Sequence, residues 1–248
     1  MGRGSAAALP AAAAGRAAAA AHRGIGEMLS DTDSDLVTAA VARAEATTDA
    51  EIVTIVAPRS DEYRDVALWF AAPAMLLVPL FAALFPDLGL KLLALVHDAW
   101  SAPGEDLILG AVMIAQILVF GLVYALLGSV TRRIALVPKS IRRARVRARA
   151  VLLFRVSAER RTDSRYGVLL YLSHDEHMAE IVADSGLTGK VGPETWGRAM
   201  AVMLPHVADA RVGEGLSAAV ERIGLVLSQH FPKTAADTNE LPDRPISL

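Results

Sequence analysis

Residues 66–86 read VALWFAAPAMLLVPLFAALFP, and residues 107–131 read LILGAVMIAQILVFGLVYALLGSVT. Neither stretch holds a charged side chain. Their lengths, 21 and 25 residues, suit a bilayer whose apolar core is ~30 Å thick. The chain therefore reads as a membrane hairpin over 66–131, with a short extracytoplasmic connection and polar sequence on both flanks. A buried helix pair in a soluble core is the other reading, but two uncharged runs of this length are unusual there. Gln116 and Tyr124 are the main polar side chains of the hairpin. No carboxylate or arginine stands among them, which argues against proton or ion transport. Two helices cannot enclose a solute path without oligomerising, so the hairpin reads as an anchor. Pro73 and Pro79 predict kinks in its first helix.

Charge orients the hairpin. Residues 132–149, RRIALVPKSIRRARVRAR, carry eight Arg or Lys and no acid. Such clusters stay on the cytoplasmic side, and Arg132, Arg133, Arg142 and Arg143 are the residues taken to set the topology. The connection 87–106 has Asp87, Asp98, Glu105 and Asp106 against Lys91, so it faces outward. A hairpin returns to its starting side, which makes both soluble segments cytoplasmic and the protein multi-pass in a cell inner (plasma) membrane. Leu88, Leu92, Leu95 and Ala99 recur at helical spacing, with Trp100 suited to an interface. They predict a short helix on the membrane surface; an ordinary linker turn is the alternative. The arginines are read as attraction to anionic headgroups of a lipid bilayer. Nucleic acid is not the expected partner, because aromatics for base stacking are sparse and no recognition-helix pattern is present.

Of 248 residues with net charge -2, none is cysteine. That excludes disulfides, thiolate metal sites and cysteine nucleophiles. Residues 1–29 are expected to form a disordered alanine-rich arm, since their centre lacks the Leu, Val or Phe of a signal peptide. Residues 132–139 read as a basic juxtamembrane linker. Segments 30–65 and 140–248 are expected to close into one split domain.

In the first of those segments, Leu36, Val37, Ala40, Val41 and Ala44 mark one helical face, capped by Asp33 or Ser34. EIVTIVA at 51–57 is a strand ended by Pro58. After the hairpin come a basic helix at 140–157, a loop at 158–166, strands at 167–173 and 178–183, and a polar turn at 174–177. A glycine-rich loop spans 184–192. Pro193 opens a helix with Trp196, Met200, Met203 and Val207 inward. Leu216, Val220, Ile223 and Leu227 mark the last helix, which ends near His230. Apolar strands need cover on both faces, which predicts an α/β sandwich.

Acids at strand ends are the site candidates. Asp175 and Glu176 follow the second strand and Asp184 the third. If those ends converge, their oxygens would hold Ca²⁺ or Mg²⁺, with Asp49 or Glu51 as further contributors. Solvated turn acids are the other reading. His174 and His177 flank the turn and would suit acid–base work or a transition metal. Ser173 and Ser185 offer hydroxyls without a nucleophile-elbow motif. Gly189 and Lys190 stand before the Pro193 helix, where a loop would bind an anion or serve only as a flexible crossover.

Several segments together carry a resemblance. Ala44-Glu45 is followed by Thr48-Asp49-Ala50-Glu51-Ile52-Val53. Arg165–Ser173 (RYGVLLYLS), Ala179–Leu187 (AEIVADSGL), the Gly213–Ile223 helix and Asn239–Asp243 (NELPD) come next in order. The chain resembles the TPM domain family over 31–60 and 140–245. That family includes bacterial membrane proteins and a related chloroplast thylakoid phosphatase. The resemblance implies a Rossmann-like α/β/α sandwich, here interrupted by a two-helix transmembrane hairpin. Some relatives are described as acid phosphatases, some as calcium-binding, and others serve assembly or repair of membrane complexes. The expected function is a membrane-anchored interaction or assembly module facing the cytoplasm, with a membrane-protein partner and divalent cation binding. The alternative is a membrane-bound metal-dependent phosphatase acting on phosphate esters.

Overall fold

The computed structural model describes residues 7–8, 29–95, 104–158, 166–234 and 243–248. Most of the alanine-rich arm, Ala99, Trp100 and much of the C-terminal tail lie outside the described residues. Two compact units emerge, one made of Met1–Asp61 with Lys139–Leu248 and the other of Glu62–Pro138.

The first unit is a mixed α/β region around an open sheet. Helix α1 (Asp31–Glu45) begins at a capping box, in which Ser30 accepts from the Asp33 N–H at 3.0 Å. This box satisfies donors that a helix start otherwise leaves open. Strand β2 (Glu51–Ala57) pairs parallel with β3 (Gly167–Ser173), Glu51 opposite Gly167 and Ala57 opposite Ser173. Strand β3 pairs antiparallel with β4 (Met178–Ala183), Ser173 opposite Met178. Two-residue strands close the edges, β1 (Ala7–Ala8) on β4 and β5 (Ile246–Ser247) on β2, giving the order β1-β4-β3-β2-β5.

Alternation along the strands sends successive side chains to opposite faces. Ile52, Val56, Val168, Leu170, Leu172 and Ile181 pack with residues of α1, α8 (Pro193–Ala208) and α9 (Val212–His230). Helices α1 and α9 cross so closely that a Cβ on Gly224 would lie 2.5 Å from the Ala44 Cβ. Val53, Ile55, Leu169, Tyr171 and Met178 pack instead with Val146 and Ala150 of α6 (Lys139–Ala158). Helices thus flank the sheet on both sides. Between β4 and α8, the glycine-rich stretch contains a one-turn helix, α7 (Ser185–Thr188), capped by Asp184.

The second unit holds the apolar helices. α2 (Arg64–Leu84, 21 residues) and α4 (Glu105–Leu126, 22 residues) are both long and apolar enough to cross a membrane. They pack along one another. No residue of α4 is buried, and only Val66, Ala67 and Ala71 are buried in α2. A core pair within this chain would show the reverse, which favours the membrane reading. α2 runs through Pro73 and Pro79. Helix α3 (Pro86–Leu93) occupies the connection, and α5 (Val130–Leu136) stands where a linker was expected. α4 stops at Leu126, short of the expected residue 131. Arg132 donates to the Leu126 carbonyl and Arg133 to the Gly128 carbonyl at 3.1 Å. Both cations therefore spend donors on carbonyls a helix terminus leaves open.

Candidate functional site

The best-organised polar cluster lies where β2 and β3 end. Tyr171 and Ser173 are two apart on β3, so they share the α6-facing side of the sheet. Pro58 ends β2, and the chain turns to bring Ser60 over them. The Ser60 hydroxyl lies 3.1 Å from the Tyr171 hydroxyl and donates to Ser173 Oγ at 3.0 Å. The Ser60 N–H donates to Glu176 Oε1 at 2.9 Å, and the Ser173 hydroxyl donates to Glu176 Oε2. Ser173 and Glu176 are 0% and 1% exposed. A buried carboxylate is expensive unless its oxygens are bonded, and here each oxygen has a donor. Burial pushes the Tyr171 hydroxyl above its ordinary pKa, against the hydrogen bonds from Ser60 and Ser173.

The turn beside it, 174–177, is half-buried apart from Glu176. His177 adopts a left-handed φ of 53°, which closes the turn. Its Nδ1 lies 3.1 Å from the Asp175 carbonyl. A carbonyl only accepts, so Nδ1 carries the proton and Nε2 the lone pair. Burial holds the His177 pKa below its ordinary value, with the Asp175 carbonyl opposing. Asp175 lies 3.6 Å from Arg59 Nε and 3.6 Å from His174 Nδ1.

The expected cation site does not form. Asp175 and Glu176 sit in the turn, whereas Asp184 follows β4 and its N–H donates to the Gly167 carbonyl at the opposite end of β3. The short turn 174–177 forces an antiparallel hairpin. The C-terminal ends of β3 and β4 are then on the order of 20 Å apart along the sheet. Among the described residues, no group of three or more His, Asp or Glu could hold a metal ion. The expectation of Ca²⁺ or Mg²⁺ is therefore corrected. Asp49 is also engaged elsewhere, accepting from the Thr234 N–H at 2.7 Å and its hydroxyl at 2.9 Å.

Lys190 places its Nζ over the Phe231 ring at 4.7 Å, a cation–π contact. Gly189 caps the end of α7. The Glu194 carboxylate folds back against Gly192 at the start of α8, reaching within 2.1 Å of where a Cβ would stand. The α8 N-terminus thus already faces a negative charge.

Residues 129–226 match the family model of the TPM domain. A TPM domain is present in the C-terminal region of this chain. No curated protein matches it. Among solved structures, the NMR structure of BA42 protein from the psychrophilic bacterium Bizionia argentinensis is similar. The TM-score is 0.52 at 15% identity, over 91% of this chain and 99% of that one. At this identity the likeness concerns the fold alone.

Two further buried acids lie in the unit that carries the TPM domain, away from the strand ends that the sequence singles out. Glu45, at the end of α1, accepts from the Ile52 N–H at 2.7 Å, and its other oxygen is buried without a hydrogen-bond partner among the described residues. Burial pushes its pKa up to about 8, helped by Glu51 and Asp243 and opposed by the Ile52 N–H and Lys233. Glu180 on β4 is 0% exposed and meets Arg147 of α6 at 2.8 Å. Burial also raises the pKa of Glu180, against Arg147 and Arg143. Alternation along β4 would have put Glu180 on the same face as Met178, opposite a helix full of arginines. No local signal marks Glu45, whose burial comes from the strand that follows α1.

The two apolar helices and the TPM domain together make this chain a membrane-associated, TPM-domain-containing module.

Proposed function

We propose that the chain is a membrane-anchored interaction or assembly module whose soluble parts face the cytoplasm. The observation that carries this reading is the closed state of the polar cluster at the ends of β2 and β3. Glu176 is spent on the Ser60 N–H and the Ser173 hydroxyl, and both side chains are sealed from solvent. Such an arrangement pins the turn at the end of β3 to the end of β2. It builds a rigid surface rather than a site where an ester would meet a nucleophile and a general base. The surface around it carries Arg59, Asp175, His174 and Asp61, a mixed polar rim of the kind found at transient protein contacts.

The orientation rests on the charge pattern, with eight basic residues in 132–149 against the acidic connection. Engagement of Arg132 with the last carbonyl of α4, and of Arg133 with the Gly128 carbonyl just beyond it, suits a helix end at the headgroup level.

The test uses the full chain in lipid nanodiscs made directly from its native membrane. A membrane-protein partner that co-purifies in fixed ratio, and is released by Arg59→Glu with Asp175→Lys, supports the module. Steady hydrolysis of p-nitrophenyl phosphate by the purified chain, abolished by Glu176→Gln in a still-folded protein, would overturn it in favour of the phosphatase.

A further inference from the structure

We propose that the outward face of α6 is a docking face for the anionic phospholipid surface of the membrane that holds α2 and α4. The inward face of α6 is settled by packing. Val146 and Ala150 are buried, and Leu153 and Phe154 pack partly against the same cluster. At 100° per residue, Ala144, Ala148, Val151 and Leu152 point the other way. They form a narrow apolar spine with Arg147 on one flank, Arg145 and Arg149 on the other, and Arg155 at its far end. A shallow groove of about 520 Å³ runs along this spine. Leu152 is 52% exposed and Val156 59% exposed.

The charges divide into two sets. Arg145 and Arg147 reach inward, to Asp61 at 2.6 Å and Glu180 at 2.8 Å, and hold the helix to the sheet. Arg149 and Arg155 are exposed and form no ion pair among the described residues. Helix α6 contains no acid in 20 residues, so nothing on the helix itself neutralises them. Small apolar side chains between long cations are the pattern of a helix lying in a headgroup layer. The stems of the arginines cover apolar surface there while the guanidiniums meet phosphate. The location agrees, since only residues 127–138 separate the end of α4 from the start of α6 in the chain. Charge complementarity commits the occupant to anionic lipid.

The chain has no cysteine, so single thiols can be placed at will. Ala148→Cys lies on the spine, and Gln229→Cys lies at an exposed position near the end of α9 as a control. Each full-length variant, labelled with a polarity-sensitive fluorophore, goes into nanodiscs containing brominated lipids. One set is phosphatidylcholine alone and the other holds about 30% phosphatidylglycerol. The expected result is quenching at position 148 that is at least about twofold stronger with phosphatidylglycerol and is lost at high salt. It should also be lost in Arg149→Gln/Arg155→Gln, should persist when inorganic phosphate is added, and should be absent at 229. Equal quenching in both lipids, or none at 148, overturns the proposal. So does shielding of 148 by an acidic protein partner instead of lipid. The inference rests on membrane association and not on the assembly reading. A missing protein partner and an unquenched probe are therefore separate failures.

Discussion

The two faces of the sheet are built on opposite terms. One face packs Ile52, Val56, Leu170 and Leu172 beneath three helices, in a cluster that is almost wholly apolar. The other packs Val53, Leu169 and Tyr171 beneath the single helix α6, with Ser173, Glu176 and Glu180 among them. The first face is held by removal of apolar surface from water, worth about 25 cal/mol per Å². The second adds hydrogen bonds and two arginine–carboxylate pairs that work only if each partner is present. The lesson is a division of labour. The apolar face supplies the fold, and the α6 face trades packing for positioned polar groups and outward charge.

Adjacent residues of β3 break this comparison most sharply. Leu170 faces the three-helix side and Leu169 faces α6, and both are 0% exposed. Leu170→Ala should cost about 3–5 kcal/mol, because a cavity roofed by three helices collapses little. Leu169→Ala should cost about 2–3 kcal/mol, because one covering helix can settle into the space. Chemical denaturation in nanodiscs, followed by Trp196 fluorescence in a Trp69→Phe/Trp100→Phe background, reads both. Equal losses would erase the distinction between the faces.

Ser173→Ala addresses the polar terms of the second face. It strips a donor from Glu176 in a site that water does not enter, and should cost about 1–3 kcal/mol. Ser173→Ala combined with Glu176→Leu should cost less than the sum of the two single changes, since the Ser173–Glu176 bond is lost only once, although the Ser60 N–H still loses its acceptor. A double mutant worse than the sum of the singles would contradict this account of the cluster.

Glu45 gives the apolar side its own pH dependence. Its folded pKa of about 8 lies above the ordinary 4.5, so the folded chain binds the extra proton between those values. The resulting stability is complete below pH 4.5 and drains away as pH rises toward 8, at up to roughly 1.4 kcal/mol per pH unit. Glu45→Gln keeps an acceptor for the Ile52 N–H and should flatten that slope. Denaturation midpoints at several pH values between 5 and 8 check it; an unchanged slope would assign the dependence to another group.

Much of this architecture is legible in the sequence, and the gaps are instructive. The strands at 51–57, 167–173 and 178–183 match the structure residue for residue. Pro58, the polar turn and Asp184 punctuate β-branched runs, which are local signals. The apolar helices were equally plain, although α4 ends five residues early because Gly128 and the capping arginines take over. The cation site misled because strand direction is not local. Asp175 and Asp184 each follow a strand, yet the four-residue turn between β3 and β4 sends those ends to opposite edges. Ser60 and Glu45 were invisible for a related reason. Each acquires its role from a neighbour brought by the fold, Tyr171 and Ser173 for the first and Ile52 for the second.

The central proposal is that α2 and α4 form an anchor whose connection and whose TPM domain lie on opposite sides of one membrane. Single-cysteine accessibility tests it most directly. Gly104→Cys sits in the connection at a position where an added Cβ meets nothing within 4 Å, and Gln229→Cys sits at an exposed position near the end of α9. A membrane-impermeant maleimide applied to intact cells should label position 104 at once and position 229 only after lysis. Labelling of 229 in intact cells, or protection of 104, would contradict the account.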